Sequence, residues 1–214
     1  GSVHGGVDFK RSFAKSCNTS FANIGLSLDR DAFGQTLDLL LFNQKLPVAF
    51  QSNVSRVDVS EDTSDSDMMQ VSIGQGTTSI TPLLLNMITC AIANDGMLMK
   101  PYLVDHVETH EGNVIKQFEA ASYKRMMSEE EAQIMKELMQ EVVKSGTGTK
   151  LADASYTAAG KTGSAEYNSV KTDSHAWFTG FAPVEDPELC VTVIIEGAGS
   201  GGDYAVPIAR RIFD

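Results

Sequence analysis

Cysteine, basic residues and long uncharged runs are all scarce in this sequence, and each shortage removes a class of protein. Three cysteines occur, Cys17, Cys90 and Cys190. Their odd count and wide spacing point to neither a disulfide framework nor a zinc site, and leave small buried or half-buried thiols. Lysine and arginine number 17 against 28 aspartates and glutamates, a formal net charge of −11. That balance argues against a nucleic-acid grip and against a polybasic membrane patch, both of which need a basic face. The longest stretch without charge, residues 68–94, has Asn86 and Thr89 inside its most apolar part. It is too short and too polar for a transmembrane helix. No signal peptide opens the chain, and Gly1-Ser2 reads as a cloning remnant ahead of residues 3–214. What remains is 214 residues, 42% hydrophobic and 21% charged, enough for one domain with a buried core.

Periodicity predicts short helices over residues 8–15 and 19–28, the second with Phe21, Ile24 and Leu28 inward, separated by the polar break Ser16-Cys17-Asn18. Residues 43–70 lack periodicity and contain an acidic, serine-rich run at 60–67, so a long surface loop is expected there. Thr81-Pro82 supplies the N-cap and first position of a buried helix through Ala93, stopped by Asn94-Asp95-Gly96. Strands are expected near 102–109 and 113–118, joined by a turn at Glu111-Gly112. Ser128 and Glu131 form a capping box ahead of Ile134, Met135, Leu138, Met139, Val142 and Val143 at helical spacing. Strands at 157–166, 176–182 and 189–196 and a final helix over 204–213 complete the chain. Helices followed by adjacent strands predict an α+β domain with an antiparallel sheet and flanking helices.

Four short motifs fail on context. Residues 197–202 contain G-x-G-x-x-G between a strand and a helix, but the sequence given holds no later strand with the acidic residue a dinucleotide site needs. Gly160-Lys161-Thr162 looks like the end of a phosphate loop, yet the position of its first glycine holds Ser155. His106 and His110 are spaced as in a helical metal pair but lie in an expected hairpin, so solvated histidines are the better reading and no metal is expected. Ser12-Phe13-Ala14-Lys15 matches S-x-x-K, in which a lysine assists a nucleophilic serine, but matches this loose arise by chance.

Three elements survive together: Ser16-Cys17-Asn18, Lys161-Thr162-Gly163-Ser164, and Ile73-Gly74-Gln75-Gly76 ahead of Thr81-Pro82-Leu83. Longer strings accompany them, among them Ala91-Ile92-Ala93-Asn94-Asp95-Gly96 and Trp177-Phe178-Thr179-Gly180-Phe181-Ala182-Pro183. In this order, over nearly the whole chain, the sequence resembles the transpeptidase domain of class B penicillin-binding proteins. The resemblance implies a β-lactamase-like α+β fold and acyl transfer from stem peptides ending in D-Ala-D-Ala, with β-lactams as inhibitors and no cofactor. It implies that Ser16 relays a proton towards the leaving group, Asn18 orients the substrate amide, and Lys161 holds a positive field across the cleft. It further implies that the hydroxyls of Thr162 and Ser164 bind the substrate carboxylate, while the Ser164 backbone N–H supplies half of an oxyanion hole. Gly163 leaves the strand edge open to substrate.

One departure stands against the match. In the family the S-x-x-K serine lies some tens of residues upstream of S-x-N, on a separate buried helix. Ser12 precedes Ser16 by only four positions, and one helix end cannot present both walls of a cleft. Ser12 and Lys15 therefore read as a coincidence on a surface helix. The expectation is an N-terminally truncated fragment lacking the first strands and the nucleophile helix, inactive alone. Its apolar strand 189–196 would be left as an unpaired edge that self-associates or needs the missing portion. The parent protein would work on the extracytoplasmic face of the cell membrane, held by an N-terminal anchor. The alternative is a non-catalytic β-lactam sensor or regulatory penicillin-binding-like domain.

Overall fold

The computed structural model describes residues 4–167 and 174–214. The first helices follow local capping chemistry. Asp8 accepts from the Arg11 N–H and starts α1 (Phe9–Ala14), and a tight turn then leads into α2 (Asn18–Ser27). Asp29 caps α3 (Arg30–Leu39), which the sequence reading leaves unassigned.

The segment expected to be one long loop is only partly so. Leu46, Val57 and Met68 are buried, and the end of the acidic run opens α4 (Asp65–Val71). The Ser64 hydroxyl accepts from the Asp67 N–H, and Asp65 and Asp67 sit at the positive end of the helix. The charge pattern that suggested a loop is thus a helix start. Thr81 then caps α5 (Pro82–Ala93) by accepting from the Leu84 N–H at 3.1 Å.

Gly96, at φ +84°, reverses the chain after α5; a Cβ there would lie 2.1 Å from the Met127 carbonyl oxygen. Two small antiparallel pairs follow. β1 (Met97–Met99) pairs with β4 (Ser122–Arg125), and β2 (His106–Glu108) pairs with β3 (Val114–Gln117) in an exposed hairpin. The β1–β4 pair was not expected, because three- and four-residue strands carry too little alternation to read. The capping box at Ser128 and Glu131 is present and opens α6 (Glu129–Ser145). Leu28, expected inward, is exposed because it lies past the last turn of α2, and Ile134 of the helically spaced set on α6 is exposed too.

The main sheet is β5 (Ala159–Glu166), β6 (Ser174–Ala182) and β7 (Leu189–Ile195), antiparallel in that order. β6 is central, and its alternate residues serve opposite layers. Phe178 and Ala182 pack with Val191 and with Val206 and Ala209 of α7 (Val206–Phe213). Phe181 points the other way, to Ile92 of α5 and Met139 of α6. The sheet is therefore covered on both faces. α7 starts at Val206, after a π-helical turn at residues 201–205 that takes in the first two positions of the helix expected over 204–213. A second core, around Leu37, Phe42, Val57, Leu84 and Leu98, lies in the helical part. Among the described residues no helix is long and apolar enough to cross a membrane.

Candidate active site

The turn between α1 and α2 puts Ser16 at φ +51°, a left-handed conformation that costs a residue with a Cβ. The Cys17 N–H donates back to the Ser12 carbonyl at 2.9 Å, closing the turn so that Asn18 opens α2. Across a cleft runs β5, an edge strand whose single strand partner among the described residues is β6. Lys161, on β5, donates from Nζ to Ser16 Oγ and, at 2.9 Å, to the Thr162 carbonyl. Its Nζ also lies 5.7 Å from the centre of the Phe13 ring. Burial pushes the Lys161 ammonium down to about 8, so it stays mostly charged at neutral pH yet gives up a proton more readily than an ordinary lysine.

Thr162 and Ser164 are held by neighbours the motif does not contain. Thr162 Oγ1 and Thr147 Oγ1 are 2.5 Å apart, and the Thr147 N–H donates to the Ala14 carbonyl at 3.1 Å. Thr147, just past α6, therefore ties β5 to the end of α1. Ser164 Oγ accepts from the Gly201 N–H at 3.2 Å. A Cβ on Gly201 would come within 2.4 Å of both the Gly163 and Trp177 carbonyl oxygens. The glycine-rich run thus lays its backbone against β5. It is no phosphate cradle.

Ser16, Asn18 and residues 161–164 all line one cavity of about 420 Å³. Ser72, Gln75, Thr147 and Ser200 line it too, and the sequence reading gave none of them a role. For Ser72 and Gln75 the signal was available in the string Ser72-Ile73-Gly74-Gln75-Gly76. Their placement depends on Gly25: a Cβ there would sit 1.8 Å from Ser72 Oγ, so α2 rests directly on the end of α4. A second cavity of about 710 Å³ shares Phe13, Ile73, Gln75 and residues 161–164 with the first. Its further walls include Ile80, Leu85, Ile88, Met135 and Met139. The polar cleft thus opens into an apolar trough.

Ser12 and Lys15 are not brought together. Ser12 Oγ is buried and donates to Ser20 Oγ at 3.0 Å, while Lys15 Nζ donates to the Ser145 carbonyl at 2.5 Å. Ser12 is therefore no surface residue, contrary to expectation: it is enclosed where α1 meets α2. The hairpin histidine His106 bonds Asp105 through Nδ1 at 2.9 Å, with Glu108 3.5 Å from Nε2. These carboxylates raise its pKa above the usual imidazole value, the Asp105 hydrogen bond most of all. Among the described residues no cluster of three or more His, Cys, Asp or Glu could hold a metal ion.

The penicillin binding protein transpeptidase domain matches residues 1–214. The peptidoglycan D,D-transpeptidase PbpA of Mycolicibacterium smegmatis is 33% identical over 95% of this chain and 43% of its own length. The peptidoglycan D,D-transpeptidase MrdA of Haemophilus influenzae is 29% identical over 99% of this chain and 36% of its own. The structure of penicillin-binding protein A from M. tuberculosis as a penicillin G acyl-enzyme complex superposes with a TM-score of 0.86 at 29% identity, covering 99% of this chain and 49% of that one. The chain thus spans less than half the length of these relatives.

Proposed function

Since the chain belongs to the penicillin-binding protein transpeptidase family, we propose that it forms one side of a peptidoglycan D,D-transpeptidase site. The contact that carries this reading is Lys161 Nζ on Ser16 Oγ, which joins the S-x-N turn to the K-T-G strand inside one cavity. In acyl transfer the leaving amine must gain a proton while a tetrahedral oxyanion forms. Ser16 supplies the relaying hydroxyl, and the partly buried Lys161 ammonium lowers the cost of passing a proton through it. Asn18 orients the acyl-side amide, and Thr162 and Ser164 take the substrate carboxylate, whose negative charge Lys161 balances. Gly163 leaves the edge of β5 clear, and the Ser164 N–H completes part of the oxyanion hole. β-Lactams enter as mimics of the D-Ala-D-Ala terminus, and no cofactor takes part.

The nucleophile is the missing group. Among the described residues, Ser16–Lys161 is the Oγ–Nζ pair of the cleft, while Ser12 and Lys15 are engaged elsewhere. A helix bearing the S-x-x-K pair, seated in the apolar trough beside Lys161, would place a serine against Ser16. By this reading the 214 residues alone are inactive. The outer edge of β7, which has no strand partner among the described residues, then either pairs with strands of the remaining protein or self-associates. The complete protein works outside the cytoplasmic membrane, held by an N-terminal anchor.

Intact mass after incubation with penicillin G tests both halves of the proposal. The 214-residue chain should stay unmodified. The complete protein should gain one penicilloyl group on a serine outside these residues, at least ~100-fold more slowly in Lys161→Ala. An adduct on Ser12 or Ser16 overturns the inactivity; an unchanged rate in Lys161→Ala overturns the role of Lys161. A β-lactam sensor would acylate in the same way but transfer nothing to an acceptor peptide.

A further inference from the structure

Cys90 of α5 and Cys190 of β7 lie a hundred positions apart in sequence and come to one helix–sheet interface, where Cys190 packs in the same cluster as Ile88 and Ile92 of α5. The contact belongs to a repeating register. Asn86, one helical turn before Cys90, accepts at Oδ1 from Thr192 Oγ1 at 3.1 Å. Four helical residues rise about 6 Å and two strand residues about 6.7 Å, so antiparallel α5 and β7 keep both pairs in contact. Asn86 Nδ2 reaches Cys90 Sγ at 3.8 Å. Thr192 Oγ1 lies 2.7 Å from Thr179 Oγ1, which lies 2.7 Å from Thr89 Oγ1 beside Cys90. The sulfurs are thus positioned by a polar network joining α5, β6 and β7. Both cysteines are half-buried, which leaves a small reagent a way in.

We propose that Cys90 and Cys190 form a dithiol that closes to a disulfide when it meets a disulfide-bearing oxidant, clamping α5 to the edge strand β7. The step begins with the Cys90 thiolate attacking the S–S bond of the oxidant, forming a mixed disulfide and releasing one thiol. Cys190 then loses its proton and attacks the Cys90 sulfur, releasing the second thiol. Two protein S–H bonds are replaced by one S–S bond, and the oxidant is reduced to two thiols. Closure requires the sulfurs to approach to about 2 Å, which rotation of the two side chains must supply. Neither Ser16 nor Lys161 takes part, so the proposal stands apart from the acyl-transfer reading.

The test is to treat the folded chain with oxidised glutathione, block remaining thiols with iodoacetamide and map the unreduced peptides. A Cys90–Cys190 peptide should appear with neither of these thiols left to alkylate, while Cys17, whose pKa the His4 side chain lowers to about 7, takes up glutathione separately. The thermal midpoint should rise by about 5–15 °C and fall back on reduction with dithiothreitol. Cys17→Ser should close equally well, whereas Cys190→Ser should stop at a glutathione adduct on Cys90. Cys90 and Cys190 both still alkylatable after treatment, a bridge involving Cys17, or a lasting glutathione adduct on Cys90 in the unaltered chain would each overturn the proposal. Cys17→Ser keeps the test decisive should Cys190→Ser fail to fold.

Discussion

The helical part and the sheet part of the molecule build their cores from different kinds of chain. In the helical part Leu41, Phe42, Leu46 and Val57 come from irregular segments and turns around α3, and they meet Leu84 and Met87 of α5. In the sheet part Ala176, Phe178, Ala182 and Val191 come from regular strands and meet one face of α7. A strand fixes which residues point inward by its pleat, whereas an irregular segment does so through individual hydrogen bonds. Asn43 shows the second case: it sits at φ +59°, and its side chain donates to the Val57 carbonyl and accepts from the Val57 N–H. The cleft runs between these parts, taking Ser16, Asn18, Ser72 and Gln75 from the first and residues 161–164 from the second. One wall rests on turns, the other on a ladder.

The comparison predicts unequal responses to core deletion. Phe178→Ala, on the central strand and fully buried, should cost about 4–5 kcal/mol in urea unfolding, because strands paired on both sides cannot collapse into the void. Phe42→Ala should lie nearer about 3 kcal/mol, since its irregular segment can relax. Equal losses would remove the distinction between the two parts.

A smaller effect is expected where the parts meet, at Lys161. Its folded pKa of about 8 lies below the ordinary lysine value, so the folded chain binds fewer protons than the unfolded chain between those two values. The cost of burying its charged form is therefore complete below about 8 and is relieved as pH rises towards the ordinary value. Relative to Lys161→Met, the unaltered chain should gain about 2 kcal/mol between pH 8 and the ordinary lysine value. A constant difference between the two unfolding curves across that window would mean that Lys161 is as solvated as a surface lysine.

The smallest effect concerns α6, which packs on α1, α5 and β5 and so touches both parts. Ser128→Ala should cost about 1 kcal/mol by removing its N-cap. The Ser128 backbone N–H and hydroxyl both donate to Glu131 and hold its carboxyl below the usual value. The carboxylate's share of the cap is therefore present at neutral pH and lost as pH falls through that lowered value, while the bond from the Glu131 N–H to the Ser128 hydroxyl stays. A Ser128→Ala penalty that disappears entirely at pH 2 would contradict the capping role, because the Ser128 hydroxyl that accepts from the Glu131 backbone N–H does not titrate.

What could be read from the residues follows the same division. The capping box, Thr81-Pro82 and the three sheet strands were legible because each is a local pattern of fixed period or spacing. α4 was read as loop, since its signal is a single serine cap among acidic residues. The motif residues were legible as strings. Thr147 was not, because its place against Thr162 exists only once α6 has delivered it beside β5. The glycine-rich run was legible as a turn, but its use as backbone packing on Gly163 was not.

By itself the sequence determined the acidic α+β character, the order of the S-x-N and K-T-G segments and the four positions that separate Ser12 from Ser16. Each is a matter of composition or of distance along the chain. Only the tertiary structure decided that Lys161 meets Ser16, that Ser12 is shut between two helices, and that Asn86 of α5 meets Thr192 of β7. Those are contacts between residues from eight to 145 positions apart, fixed by how helices pack on a sheet rather than by any local pattern.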